Sequence, residues 1–119
     1  MIEETITMYR PTGTEELKLV EESGYTKWPA RLPGQNIFYP VTNERYAEEI
    51  SRRWNAKNFG RGFVTRFRVK KSFADKYEIH QVGARYHTEW WIPAEELEEL
   101  NANIVGLIEV ISEFEKEPA

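Results

Sequence analysis

The chain contains no cysteine, which removes disulfide frameworks, thiol nucleophiles and thiolate metal sites. Histidine is nearly as scarce, with only His80 and His87 present. These two fall on different expected strands, and a transition-metal site ordinarily takes three or four ligands, so no metal site is expected. No apolar run approaches the roughly 18 residues of a membrane span. The N-terminal MIEETIT lacks the basic and apolar blocks of a secretory signal. The expectation is a cytoplasmic protein with no membrane contact. There is no Walker loop, and Gly60-Arg61-Gly62 is a lone glycine pair of the kind used in turns. No serine sits in a nucleophile elbow.

What is present is ordinary for one globular domain spanning residues 1–119, with 40% hydrophobic and 13% aromatic residues. The net charge of −4 hides a split. Between Arg45 and Lys76 there are ten Lys or Arg against three Asp or Glu; from Glu89 onward there are nine Glu against one Lys. Solvated faces account for such a split, and an anionic ligand near the middle of the chain is the functional alternative.

Periodicity orders the elements. Thr5 to Arg10 alternates as a first strand closed by Pro11. Thr12 with Glu15 forms a capping-box signature for a helix running to about Ser23, with Gly24 as its left-handed stop. Arg10 thus stands at a strand end just ahead of a helix N-terminus, a place suited to an anion. Tyr25 to Gln35, holding Trp28, Pro29, Arg31, Pro33 and Gly34, is long for a loop, and such loops are often ligand-facing. Asn36 to Val41 is a short second strand. A second helix, capped by Thr42 or Asn43, runs to about Trp54, and Asn55 to Arg61 is a turn. Gly62 to Val69 is a half-buried third strand, Lys70 to Lys76 one helical turn or a loop, and Tyr77 to Val82 a fourth strand. Gly83-Ala84 then links tightly into a fifth. A short Glu-rich helix from Pro93 to about Leu100 precedes Ile104 to Phe114, a sixth strand apolar enough to lie centrally. The fold class is α+β: a mostly antiparallel six-stranded structure, in one sheet or split into two, with two early helices and a short helix before the last strand.

The fifth strand carries the most pointed feature. In RYHTEWWIP, Arg85, His87, Glu89 and Trp91 fall on one side, and Tyr86, Thr88, Trp90 and Ile92 on the other. Glu89 is a carboxylate inside a strand rich in tryptophan, and a buried carboxylate is costly unless paired or used. The plain alternative is a solvated face on which Glu89 pairs with Arg85.

Four segments, TMYRPTGTEELKLVEESG, RLPGQNIFYPV, GFVTRFRV and EWWIPAEELEELNANIVGLIEVI, make the chain resemble a family of small, largely uncharacterised bacterial proteins. Through their pattern it resembles the ADP-ribosyltransferase fold. The resemblance implies an enzyme that binds NAD as a substrate, without a metal, and transfers ADP-ribose to an acceptor it does not specify. In those transferases an Arg or His ends the first strand and holds the dinucleotide; Arg10 matches it. An aromatic residue on the second strand lines the nicotinamide pocket, matched by Tyr39 or its neighbour Phe38. A glutamate shortly before an apolar residue and proline is catalytic, matched by Glu89. Two positions earlier the family often carries Glu or Gln for acceptor choice; here His87 stands there, assigned to the ligand-binding set. The alternative is a non-catalytic ligand- or protein-binding module on the same fold. A tRNA 2′-phosphotransferase also uses this fold, so the basic stretch from Arg52 to Lys71 adds RNA as a further partner to weigh.

Overall fold

Two long strands with opposite charge patterns set the architecture. The computed structural model describes residues 3–116. Strand β3 (Arg61–Lys70) lies between β1 (Thr5–Thr12) and β7 (Ile104–Glu115), antiparallel to both. β3 takes the centre because its alternation supplies buried groups on both faces: Phe67 and Val69 enter the main core, and Val64 enters a second cluster with Val41 and Ala47. The main core also holds Met8, Trp28, Phe38 and Ile92. Among these, Met8 and Phe67 are direct cross-strand partners.

β7 was expected at the centre and is instead at the edge of this three-stranded sheet. Its apolar residues are not all inward, since Leu107 is 59% exposed. Register breaks between Val64 and Thr65 and between Arg66 and Arg68 interrupt its alternation. Gly106 adopts φ +80°, and a Cβ there would press on the Arg68 guanidinium.

The described residues form seven strands, where six were expected. The expected fifth strand divides at Trp91 into β5 (Thr88–Trp90), paired with β4 (Ile79–Gln81), and β6 (Ile92–Pro93), paired with β2 (Ile37–Phe38). The second strand is shorter than expected because Pro40 cannot donate to a ladder. Val41, just beyond it, nevertheless exchanges backbone bonds with Tyr9 and bridges to Glu89. A single residue therefore ties β1 to the β4–β5 pair. The β4–β5 link is also longer than a Gly-Ala turn, running through residues 82–87.

Helix α1 (Thr14–Glu22) is capped at Gly13 without a side-chain bond, so Thr12 ends β1 instead of forming the expected capping box. Helix α2 (Glu44–Ile50) is capped by Asn43, whose side chain accepts from the Tyr46 amide. It does not stop near Trp54. It continues through a π-helical stretch, Ser51–Asn55, into α3 (Ala56–Phe59), so the expected turn from Asn55 to Arg61 is helical as far as Phe59, with Gly60 alone turning into β3. Gly62 explains the passage: a Cβ there would land on the Ser51 carbonyl, so β3 runs close under this stretch. The short α4 (Lys71–Ala74) and α5 (Leu97–Ala102), the latter entered through the 3-10 turn Ala94–Glu96, complete the α+β domain. No helix is long and apolar enough to cross a membrane among the described residues.

Candidate functional site

A cavity of about 490 Å³ opens where β1, the Tyr39–Val41 segment, β5 and the π-helical stretch come together. Arg10, Arg31, Tyr39, Asn55, Glu89 and Trp91 are among its lining residues. Its size lies within the ~300–1,000 Å³ of typical small-molecule sites. Arg10, Tyr39 and Glu89, expected from the sequence to share a site, are therefore brought together.

Arg10 is fixed by its neighbour helix. Glu16, in the first turns of α1, takes the guanidinium by two bonds, Nε to Oε2 at 2.6 Å and Nη2 to Oε1 at 2.7 Å. The plane of that pair rests over the Phe38 ring, with Cζ 4.3 Å from the ring centroid. The Arg10 carbonyl accepts from Thr65 Oγ1 at 2.8 Å, which locks the strand end to β3. Arg31 reaches the same carboxylate more loosely, with Nη1 3.4 Å from Glu16 Oε1. Two guanidiniums thus share one carboxylate. Burial, and then the adjacent Arg10 charge, push the Arg31 pKa down from its usual value.

Glu89, on the same cavity's lining, sits half-buried on β5. Its Oε1 accepts from Trp91 Nε1 at 3.3 Å. The Trp91 indole in turn stacks flat on His80, the strand partner of Glu89, with 3.7 Å between centroids and 7° between planes. The carboxylate is therefore oriented by an aromatic pair, not by a cation. Its charge is felt behind the cavity: Tyr46 has its phenol pKa raised, first by burial, then by Glu89 and Glu49.

Two expected site residues lie elsewhere. Phe38 is 1% exposed and packs in the main core, beneath Arg10 and outside the cavity lining. His87 is not on the Glu89 face, because β5 begins only at Thr88. The chain curls at residues 84–87, and the ring turns to helix α2, where Nε2 lies 2.6 Å from Glu49 Oε2. The Ala84 amide donates to Nδ1, leaving Nε2 as the ring's donor. Tyr86 Oη and Arg53 Nη1 also donate to Glu49. Nδ1 of His87 thereby closes the 82–87 turn on itself, and Nε2 holds that turn to α2.

Alternation alone could not place Arg31, Asn55 and Glu16. Arg31 had one usable signal, its position in the long Pro- and Gly-containing loop. Asn55 is 7% exposed with its Nδ2 unpartnered among the described residues, and it lies on the π-helical stretch that no periodicity announces. No cluster of three His, Cys, Asp or Glu suited to a metal ion occurs among the described residues. The chemistry available is that of guanidinium and amide groups, a carboxylate, a phenol and an indole lining one cavity. Guanidinium groups suit anions, and a carboxylate suits a developing positive charge. Comparison of the chain with protein-family models, curated proteins and solved structures finds no match.

Proposed function

We propose that this cavity binds NAD and that the protein transfers its ADP-ribose to a nucleophilic acceptor. One observation carries the reading: Arg10, Tyr39 and Glu89, drawn from three distant stretches of chain, line one cavity. In this reading Glu89 is the catalytic residue. Breaking the bond between ribose C1′ and nicotinamide N1 sends the bonding pair to the ring nitrogen and discharges its positive charge. The ribose becomes oxocarbenium-like, and the Glu89 carboxylate stabilises it while accepting a hydrogen bond from a ribose hydroxyl, as carboxylates do in glycoside cleavage. The acceptor's lone pair then bonds to C1′ and its proton leaves to solvent. Tyr39 and Trp91, 42% and 41% exposed, offer faces for the nicotinamide ring. The guanidinium side of the cavity suits the diphosphate.

The test is NAD turnover by the whole chain, with Glu89→Ala as the paired variant. Turnover in the wild type and none in the variant, at unchanged melting temperature, supports the reading. Wild-type protein that neither consumes nor binds NAD at millimolar concentration rejects it. A second reading, a ligand-binding module without turnover, is favoured by the placement of His87: the position two residues before Glu89 presents no acceptor-selecting side chain to the cavity. Under that reading NAD or a related ligand binds, and Glu89→Ala leaves binding unchanged.

A further inference from the structure

A second cavity, of about 340 Å³, lies beside the loop that follows α1, with Trp28, Leu32, Pro33, Asn36 and Leu97 among its lining residues. Arg31 lines both this cavity and the larger one. Its side chain is 14% exposed, yet its pairing is poor. A guanidinium carries five N–H donors. Arg31 places Nη1 3.4 Å from a Glu16 oxygen that Arg10 already holds at 2.7 Å, and its Nε is buried with no partner among the described residues. Arg10, by contrast, has its fork filled by Glu16. Buried donors without acceptors are costly, and a ligand that supplies acceptors is one way in which a cavity-lining site satisfies them. Two further buried donors repeat the pattern, Asn55 Nδ2 on the larger cavity's lining and Trp28 Nε1 on the smaller one's. The smaller cavity is lined by apolar Leu32, Pro33 and Leu97 together with polar Asn36, Asn101 and Glu95, a mix that suits a base, with its flat face and hydrogen-bonding edges, more than a second negatively charged group.

We infer that Arg31 is the phosphate clamp of a two-part site, gripping the diphosphate of a dinucleotide whose halves occupy the two cavities on either side of it. This rests on the reading of the larger cavity given above and specifies it: the ribose that reacts lies beside Glu89, the adenosine half lies against Leu32 and Leu97, and Arg10 is a positioning residue that holds Glu16 in place. A guanidinium fork bound to phosphate oxygens by two parallel N–H bonds is the strong form of such contact.

The experiment is calorimetric titration of ADP-ribose into wild type, Arg31→Met, Arg31→Lys and Ala30→Trp, with amide shifts recorded for the wild type. Ala30 is exposed on the lining of the smaller cavity, so the added indole fills that cavity without entering the core. The expected result is a loss of affinity of about tenfold or more in Arg31→Met and in Ala30→Trp, with Arg31→Lys between them and wild type because it keeps the charge and loses the fork. Amides at Gly34 and Asn36 and at Tyr39 and Trp91 should shift together. Undiminished affinity in Arg31→Met, shifts confined to one cavity, or no ADP-ribose binding by wild type overturns the inference. If Arg31→Met fails to fold by circular dichroism, Ala30→Trp decides alone, and wild-type affinity in it overturns the proposal. Arg31-dependent ADP-ribose binding without NAD turnover sustains this inference and rejects the transferase. NAD turnover with Arg31-independent binding does the reverse.

Discussion

Replacing Glu16 by Gln tests the electrostatic arrangement of the cavity directly. The substitution keeps the volume and removes the one negative charge that Arg10 and Arg31 share. Hydrogen bonds to charged groups are each worth about 1.5–3 kcal/mol net, and Arg10 makes two, at 2.6 and 2.7 Å. Removing one partner of a fully buried pair costs about 3–5 kcal/mol. Here the side chains are 11% and 21% exposed, and glutamine retains one acceptor, so both figures are discounted. The expected loss is about 2–4 kcal/mol. Unfolding entropy of about 2.1 cal/mol/K per residue over 119 residues gives roughly 0.25 kcal/mol per degree, so the melting temperature should fall by roughly 8–16 °C. Raised salt should change the loss little, because the pair is shielded from bulk screening. The control is Glu99→Gln, whose Lys76 pair has side chains 45% and 52% exposed and is worth less than about 1 kcal/mol. A Glu16→Gln melting temperature within about 3 °C of wild type, or no greater than the control's drop, refutes the assignment of Glu16 as the charge that holds the cavity together.

Four further outcomes are expected. Gly62→Ala drives a Cβ into the Ser51 carbonyl and to 3.0 Å from the Ala56 nitrogen; it should cost about 1–3 kcal/mol or more in denaturant titration and shift the Asn55 side-chain amide resonances. Gly83→Ala places a Cβ 2.5 Å from His87 Nδ1, so the ring must leave Ala84 and Glu49, which its imidazole proton and nitrogen signals will report. The hydrogen bond from His87, helped by Tyr86 and Arg53, holds the Glu49 carboxyl below its usual 4.5 against partial desolvation. A depressed folded-state pKa gives stability that is complete above the unfolded value and lost as pH falls through the folded one, so wild-type melting should decline more steeply than that of Glu49→Gln as pH falls below the usual 4.5. Glu89→Gln removes a negative charge that raises Tyr46, so the Tyr46 phenol should titrate lower by ultraviolet absorbance, with Tyr46→Phe identifying the transition; an unmoved Tyr46 would place Glu89 away from it.

Strong alternation made β1 and β3 legible in the sequence, and GFVTRFRV lies within β3 end to end. Glu89 and Arg10 were legible for the same reason: each stands in a strand where a charge has to be explained. The misplacements have particular causes. RYHTEWWIP alternates throughout, but its first three residues belong to the 84–87 curl, fixed by a histidine bonded to Glu49, 38 residues earlier, and local periodicity contains no trace of that partner. The helix that overruns Trp54 does so through a π-helical stretch, which shifts the period and defeats a 3.6-residue count. β7 reads as central because isoleucine and valine dominate it, while its edge position follows from which strand β3 accepts on its far side, a tertiary choice. Arg31 sits in a loop with no periodic signal, and its place on the linings of two cavities appears only in three dimensions.

The charge split along the chain bears on what kind of anion the molecule can bind. Most of the basic run is spent internally. Arg61 pairs with Glu113 and Glu115, and Arg66 with Glu109, so the positive side of β3 is matched by the acidic side of β7. Lys70 and Lys71 meet Glu3 and Asp75, and Lys76 meets Glu99. A nucleic-acid surface needs several cations free to displace counterions along a backbone, and pairs across neighbouring strands reduce that number. Arg31 differs from these in kind. It is enclosed, it shares its carboxylate with a better-placed rival, and it keeps a buried donor without an acceptor. An exposed cation already paired gains little from an added anion, whereas an enclosed and underpaired one gains much. On the proposed reading, anion binding follows where a guanidinium is left wanting, which favours a small phosphate-bearing molecule over a polymer laid across β3.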